Sequence, residues 1–247
     1  MVSNEKQQRR GIYLLPNLFT TAGLFAGFYA IIAAIRGDFE SAAIAVFVAM
    51  IMDGLDGRIA RMTNTQSAFG AEYDSLSDMV AFGLAPALVI FQWSLLGLGK
   101  VGWMVAFIYA ACGALRLARF NTQIGSEDKR YFQGLPSPAA AACVAGWVWA
   151  GTSNDVAPAV MTGIAVPLTF FCAILMVSSM RYHSFKELDL RDKVPFVVML
   201  ALVLVFALVA IDPPLILFGV FLIYALSGPV FTLIKLRQRR NERAQTK

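Results

Sequence analysis

The chain has 247 residues, 58% of them hydrophobic and only 15% charged, with a formal net charge of +5. A soluble domain carries about 25% charged residues, and apolar stretches recur here from one end to the other, which excludes burial in a soluble core. The surplus of positive charge forms no basic domain; Lys and Arg stand between hydrophobic segments, a pattern of membrane topology and not of nucleic-acid binding.

About twenty apolar residues cross a bilayer as a helix. Taken in chain order, the stretches predict eight spans, at about 15–35, 40–60, 70–96, 101–120, 136–153, 157–178, 194–212 and 214–234. The first is long and is followed by no small-residue cleavage site, so it is expected to remain as a span. Pro86, Pro167 and Pro229 fall inside spans three, six and eight and are expected to bend them. The fold class is therefore all-α, a polytopic transmembrane bundle forming one domain over 1–247, with basic polar termini at about 1–10 and 236–247 that fray at Met1–Gln8 and Asn241–Lys247. With the N-terminus in the cytoplasm, nineteen of the 21 Lys and Arg residues lie on the cytoplasmic side and only Arg36 and Lys100 fall outside. That asymmetry supports an even number of spans in a cell inner or cytoplasmic membrane. Cys112, Cys143 and Cys172 each lie in an apolar segment and read as buried free thiols. His183 reads as a solvated loop residue.

Spans two and three carry aspartates that a lipid-facing helix should not have. Span two runs through Met52-Asp53-Gly54-Leu55-Asp56-Gly57-Arg58-Ile59-Ala60-Arg61, and span three opens Gly70-Ala71-Glu72-Tyr73-Asp74-Ser75-Leu76-Ser77-Asp78. One carboxylate at the centre of a lipid-facing helix costs about 2.5–3.5 kcal/mol, less toward the ends. Asp53, Asp56, Gly57, Ala60 and Arg61 share one helix face, as do Gly70, Asp74 and Asp78. The segments are antiparallel neighbours joined by a short polar turn, so four carboxylates can converge beside glycines that leave room for a bulky group. A single aspartate could equally be the partner of Arg58 or Arg61; four on two facing stripes point to an oxygen-only site for hard cations, Mg²⁺ or Mn²⁺, and two such ions are a common solution in phosphoryl chemistry. Glu72 lies off the stripe.

These residues make up D-x2-D-G-x2-A-R, then eight residues, then G-x3-D-x3-D, and in them the chain resembles the CDP-alcohol phosphatidyltransferase family with no departure from its signature. Three further stretches resemble the serine-using branch: Leu15-Pro16-Asn17-Leu18-Phe19-Thr20, which other branches share, Arg116-Leu117-Ala118-Arg119-Phe120-Asn121, and Gly134-Leu135-Pro136-Ser137-Pro138-Ala139-Ala140. The resemblance implies a homodimer with a six-span core and two added helices. It implies transfer of a phosphatidyl group from CDP-diacylglycerol to an alcohol, here L-serine, in a membrane. It implies that Asp53, Asp56 and Asp74 hold one ion, that Asp53, Asp74 and Asp78 hold a second, and that Asp78 is the general base. Gly57, Ala60, Arg61 and Ser67 would meet the CDP moiety, with Asn17 and Thr20 closing over it. The donor's acyl chains imply a pocket that opens laterally to lipid.

Arg116 and Arg119 share a face near the cytoplasmic end of span four, where a guanidinium could pair with the serine carboxylate; topology and donor-phosphate contacts explain the pair equally well. The basic tail from Lys235 to Arg243 suits anionic lipid. Other acceptors, glycerol 3-phosphate or an inositol phosphate, would call for more basic residues around the acceptor. A divalent-cation transporter would distribute polar residues through the bilayer depth, whereas here they collect at one end beside Arg58 and Arg61. In a background lacking the three cysteines, a cysteine placed at Thr65 should resist an impermeant thiol reagent added to intact cells and react once the inner face is opened. Labelling from outside would overturn the topology.

Overall fold

The computed structural model describes residues 14–122, 131–154, 157–183 and 196–245. Among these residues eight long helical segments follow one another: α1 Leu14–Ile35, α2 Phe39–Met62, α3 from Ala68 to Leu98, α4 Lys100–Thr122, α5 Ser137–Ser153, α6 Pro158–Val177, α7 Phe196–Ile211 and α8 Pro213–Gln245. Two three-residue strands, β1 Tyr131–Gln133 and β2 Arg181–His183, pair antiparallel. His183, expected in a loop, thus ends a strand. The fold is all-helical apart from this ribbon. Five segments are long and apolar enough to cross a membrane: Leu15–Ile35, Ala68–Leu98, Lys100–Thr122, Pro158–Val177 and Pro213–Lys235. Of the others, α2 carries the aspartates and arginines, and α5 and α7 have only 17 and 16 residues.

Small residues set the packing, as they do where lipid is the solvent. Ala26, Ala30, Ala33 and Ala34 of α1 are buried against Ala42, Ala43, Ala45, Val46 and Ala49 of α2. Large apolar side chains such as Phe25 and Phe28 stay exposed on the other side of α1. A tight turn reverses the chain between these helices: Gly37 takes φ +79°, and Asp38 caps α2 by accepting from the Ser41 amide at 3.1 Å. Helix α5 is the centre of the bundle, with every residue from Ala139 to Val148 buried and contacts to α2, α3, α6 and α8. Cys143 and Cys172 are buried free thiols, as expected, and Cys112 is partly buried.

Pro86 and Pro229 each remove a helical donor in a medium that offers no water to a freed carbonyl. Pro86 cannot donate to the carbonyl of Phe82, four residues back, and the Tyr109 hydroxyl donates to that carbonyl at 3.2 Å. Pro229 likewise cannot serve Ala225, and the Tyr182 hydroxyl donates there at 2.9 Å. A side chain at Gly228 would run into the Tyr182 ring, so the glycine admits the tyrosine. Burial pushes the Tyr182 phenol well above its usual range, which keeps the hydroxyl a donor. Helix α3 absorbs its proline by widening, with π-helical turns at Met79–Leu84 and Phe91–Leu95.

The C-terminal expectation needs one correction. Asn241–Lys247 was expected to fray, yet α8 continues as helix to Gln245. Hydropathy marks where the apolar stretch stops, and a helix rich in Arg and Gln continues past that point on its own propensity. Met1–Gln8 lies outside the described residues.

Candidate active site

The site forms where α2 ends and α3 begins. Helix α2 closes with a left-handed turn: Asn64 takes φ +52°, the Thr65 amide donates to the Ala60 carbonyl at 3.0 Å and the Asn64 amide to Arg61 at 3.4 Å. This Schellman pattern satisfies the last carbonyls of α2 and turns the chain back within a few residues. Ser67 then caps α3, its hydroxyl oxygen accepting from the Gly70 amide at 3.0 Å. The short reversal brings the acidic end of α2 and the acidic start of α3 to one site, with α1 packed against both.

Asp53, Asp56 and Asp74 each offer a carboxylate oxygen, and all three oxygens lie within 4.8 Å of one another. Asp56 is buried, Asp53 and Asp74 half-buried. The Thr20 hydroxyl of α1 donates to Asp56 Oδ2 at 2.7 Å, and Ser77 ties α3 to α1 by donating to the Thr20 carbonyl at 3.1 Å. Asp78 stands one turn beyond Asp74 and lines a narrow cleft with Asp53, Asp56, Asp74, Ser77 and Thr20. The cluster thus has three carboxylates in close array and the fourth beside them. All four side chains offer hard oxygens, and those of Asp53, Asp56 and Asp74 lie close enough together that they could hold one ion, so the residues fit Mg²⁺ or Mn²⁺.

Next to the carboxylates is a cavity of about 170 Å³. Asn17, Thr20, Gly57, Ala60, Arg61 and Ser67, the six residues that the family resemblance assigns to the nucleotide, all line it. A side chain added at Gly57 would meet only the Arg61 guanidinium, at 3.6 Å, and would stand in this space. At Gly70 it would press on Ser67 Oγ at 3.1 Å and approach Asn17 Oδ1 at 3.6 Å. Thr65 and Gln66 of the turn also face the cavity, as do Pro16 and Ala71. Sequence reasoning gave none of the four a role; for Thr65 and Gln66 the reason is that a turn of unknown geometry has no face to read.

The two arginines of α4 part company. Arg119 donates to the carbonyls of Val177 at 2.9 Å and Ser178 at 3.3 Å, where it closes the end of α6. Arg116 is buried; its Nη1 donates to Ser137 Oγ at 2.9 Å, and its Nε has no hydrogen-bond partner among the described residues. Its charge interacts with Asp78 and Asp53. Ser137 belongs to the Gly134–Ala140 stretch, which carried a resemblance and no assigned role. Asn121 of α4 donates to Ser75 Oγ at 3.0 Å, a second tie between α4 and the acidic segment that the sequence did not disclose.

Thr20→Val removes the donor on Asp56 while keeping the shape of the side chain. Partners of a metal-binding carboxylate are worth about 10- to 100-fold in metal affinity. Thr20→Val should therefore weaken Mn²⁺ binding, followed by electron paramagnetic resonance titration, by about tenfold, and Thr20→Ser should restore most of it. Equal affinity in all three proteins would show that the bond does not tune the cluster.

Comparison with known proteins gives the family of the chain. Residues 13–225 match the family model described as CDP-alcohol phosphatidyltransferase. The chain is 36% identical over 233 residues to a CDP-diacylglycerol–serine O-phosphatidyltransferase of Helicobacter pylori strain J99, covering 94% of this chain and 98% of that protein. It is 32% identical over 175 residues to the Bacillus subtilis protein of the same name, covering 70% and 92%. It is also 34% identical over 170 residues to an archaetidylserine synthase of Methanothermobacter thermautotrophicus, covering 68% of this chain and 69% of that one.

Proposed function

The chain belongs to the CDP-alcohol phosphatidyltransferase family, and from that premise we propose that it transfers the phosphatidyl group of CDP-diacylglycerol to L-serine, giving phosphatidylserine and CMP. The observation that carries this reading is the convergence of Asp53, Asp56 and Asp74 beside a cavity lined by all six residues matched to the nucleotide. The names of the relatives support serine as the acceptor.

Asp53, Asp56 and Asp74 would hold one divalent cation, and Asp53, Asp74 and Asp78 a second. Bound there, the ions supply charge neutralisation for the pyrophosphate and for the CMP that departs. Asn17, Thr20 and Arg61 hold the nucleotide end of the donor, and the small side chains at Gly57 and Ala60 leave it space. The serine hydroxyl attacks the phosphorus next to diacylglycerol; the new O–P bond forms as the bond to CMP breaks. Asp78 takes the hydroxyl proton as the attack develops. Arg116 receives the serine carboxylate: it is the arginine whose buried Nε has no partner among the described residues and which has the charges of Asp78 and Asp53 in reach, whereas Arg119 is committed to Val177 and Ser178. The protein works as a homodimer in the cytoplasmic membrane with this site facing the cytoplasm, a reading supported by the family resemblance and by the concentration of Lys and Arg at that end of the spans.

Purified protein in detergent with CDP-diacylglycerol and a panel of acceptors tests the assignment through CMP release and lipid product. L-serine should be used, serinamide poorly, glycerol 3-phosphate not at all. A lost ionic contact to the carboxylate costs about 2–4 kcal/mol, or about 30- to 1000-fold. Arg116→Ala should raise KM for serine by such a factor and leave KM for the donor nearly unchanged. A rise in the donor KM instead would place Arg116 on the donor phosphates. Ready use of glycerol 3-phosphate with no use of serine would refute the acceptor and leave the family reaction standing.

A further inference from the structure

The π-helical turn Met79–Leu84 begins at the residue after Asp78. In such a turn the backbone is wider than in an α-helix, so the direction in which Asp78 projects depends on what fixes the turn. Three contacts do so. On one side, Gly27 of α1 lies so close that an added Cβ would stand 2.7 Å from Ala81 Cα. On the other, Gly113 of α4 brings its open face to Gly83, where an added Cβ would meet Gly83 Cα at 3.4 Å. The third is the Tyr109 hydroxyl, which donates at 3.2 Å to the Phe82 carbonyl that Pro86 leaves without its α-helical donor. Tyr109 is completely buried.

Tyr109, Gly113 and Arg116 stand at i, i+4 and i+7, one face of α4. That face meets α3 at Phe82 through Tyr109 and at Gly83 through Gly113, while the Arg116 charge acts on Asp78 one turn away. We propose that Tyr109 is a positioning residue for the transfer reaction: its hydrogen bond to the Phe82 carbonyl locks the π turn of α3 and so holds Asp78 in register with Arg116 and the acceptor. The inference rests on the reading of Asp78 as the base. Tyr109 lines neither the nucleotide cavity nor the carboxylate cleft, so the role proposed for it is confined to the alignment of the proton acceptor.

The test is Tyr109→Phe, which keeps the ring and removes only the hydroxyl, with turnover counted per donor-binding site by titration with CDP-diacylglycerol. A misalignment of about 1 Å at a reacting group can cost about 100-fold. The expected result is a kcat per site lower by about 10- to 100-fold, with donor affinity and KM for serine within about twofold of native. In a Pro86→Ala background the alanine amide can serve the Phe82 carbonyl, so Tyr109→Phe should there cost less than about threefold. Unchanged kcat per site in Tyr109→Phe overturns the proposal, as does an equal loss in both backgrounds, or a loss that merely follows the fraction of sites able to bind donor. Should Pro86→Ala fail to accumulate, kcat per site in the native background decides alone. Asp78→Asn, run alongside, separates this inference from the reading beneath it: if that variant retains native turnover, the base assignment fails; if it is inactive while Tyr109→Phe is fully active, only the positioning role fails.

Discussion

Everything in this molecule is arranged around the cost of holding carboxylates together inside a membrane bundle. Asp53, Asp56 and Asp74 lie with oxygens within 4.8 Å of one another, and Asp78 shares their cleft. Like charges at that distance repel, and burial withdraws the water that would screen them. Arg61 at the cavity wall and Arg116 of α4 act on the cluster, and the Thr20 hydroxyl serves one oxygen of Asp56. An all-oxygen cluster of this kind fits a hard divalent cation, and under the proposed function such an ion would offset the repulsion among the carboxylates.

The rest of the fold serves that arrangement by bringing backbones close. Gly27 and Gly113 let α1 and α4 press on α3 next to Asp78, and the Schellman turn at Asn64 returns the chain so that α2 and α3 present their acidic ends together. Where prolines break backbone bonds, tyrosines from other elements mend them: Tyr109 at Phe82 and Tyr182 at Ala225. In lipid a freed carbonyl has no water to turn to, so such a tyrosine ties a local break in one helix to the position of another element.

Much of this was legible in the sequence because membrane helices obey a length rule and cluster residues obey a helical period. Eight helical segments lie within a few residues of their predicted limits at most ends, and five of them are long and apolar enough to cross a membrane. The i, i+3, i+4 spacing in α2 and the i, i+4, i+8 spacing in α3 put each set of aspartates on one helix face, and the two faces meet at the site. What stayed hidden depended on contacts between residues far apart in the chain. Spacing put Arg116 and Arg119 on one face of α4, but only the fold shows that the carbonyls of Val177 and Ser178 end beside Arg119 and that Ser137 meets Arg116. The π turns leave no mark on hydropathy, since an apolar segment reads the same whether its backbone winds tightly or loosely. The helical extension of α8 to Gln245 was missed for a similar reason: its polarity reports contact with water and says nothing of whether the chain stays wound.

The central claim is that a divalent cation completes the carboxylate cluster and that phosphatidyl transfer depends on it. The most direct measurement is turnover of CDP-diacylglycerol and L-serine by metal-depleted protein in detergent, with excess EDTA and then with Mg²⁺ or Mn²⁺ restored. The account predicts no phosphatidylserine and no CMP in the presence of chelator, and recovery of both products in equal amounts when the ion is returned. Full turnover by metal-depleted protein in excess EDTA would contradict it.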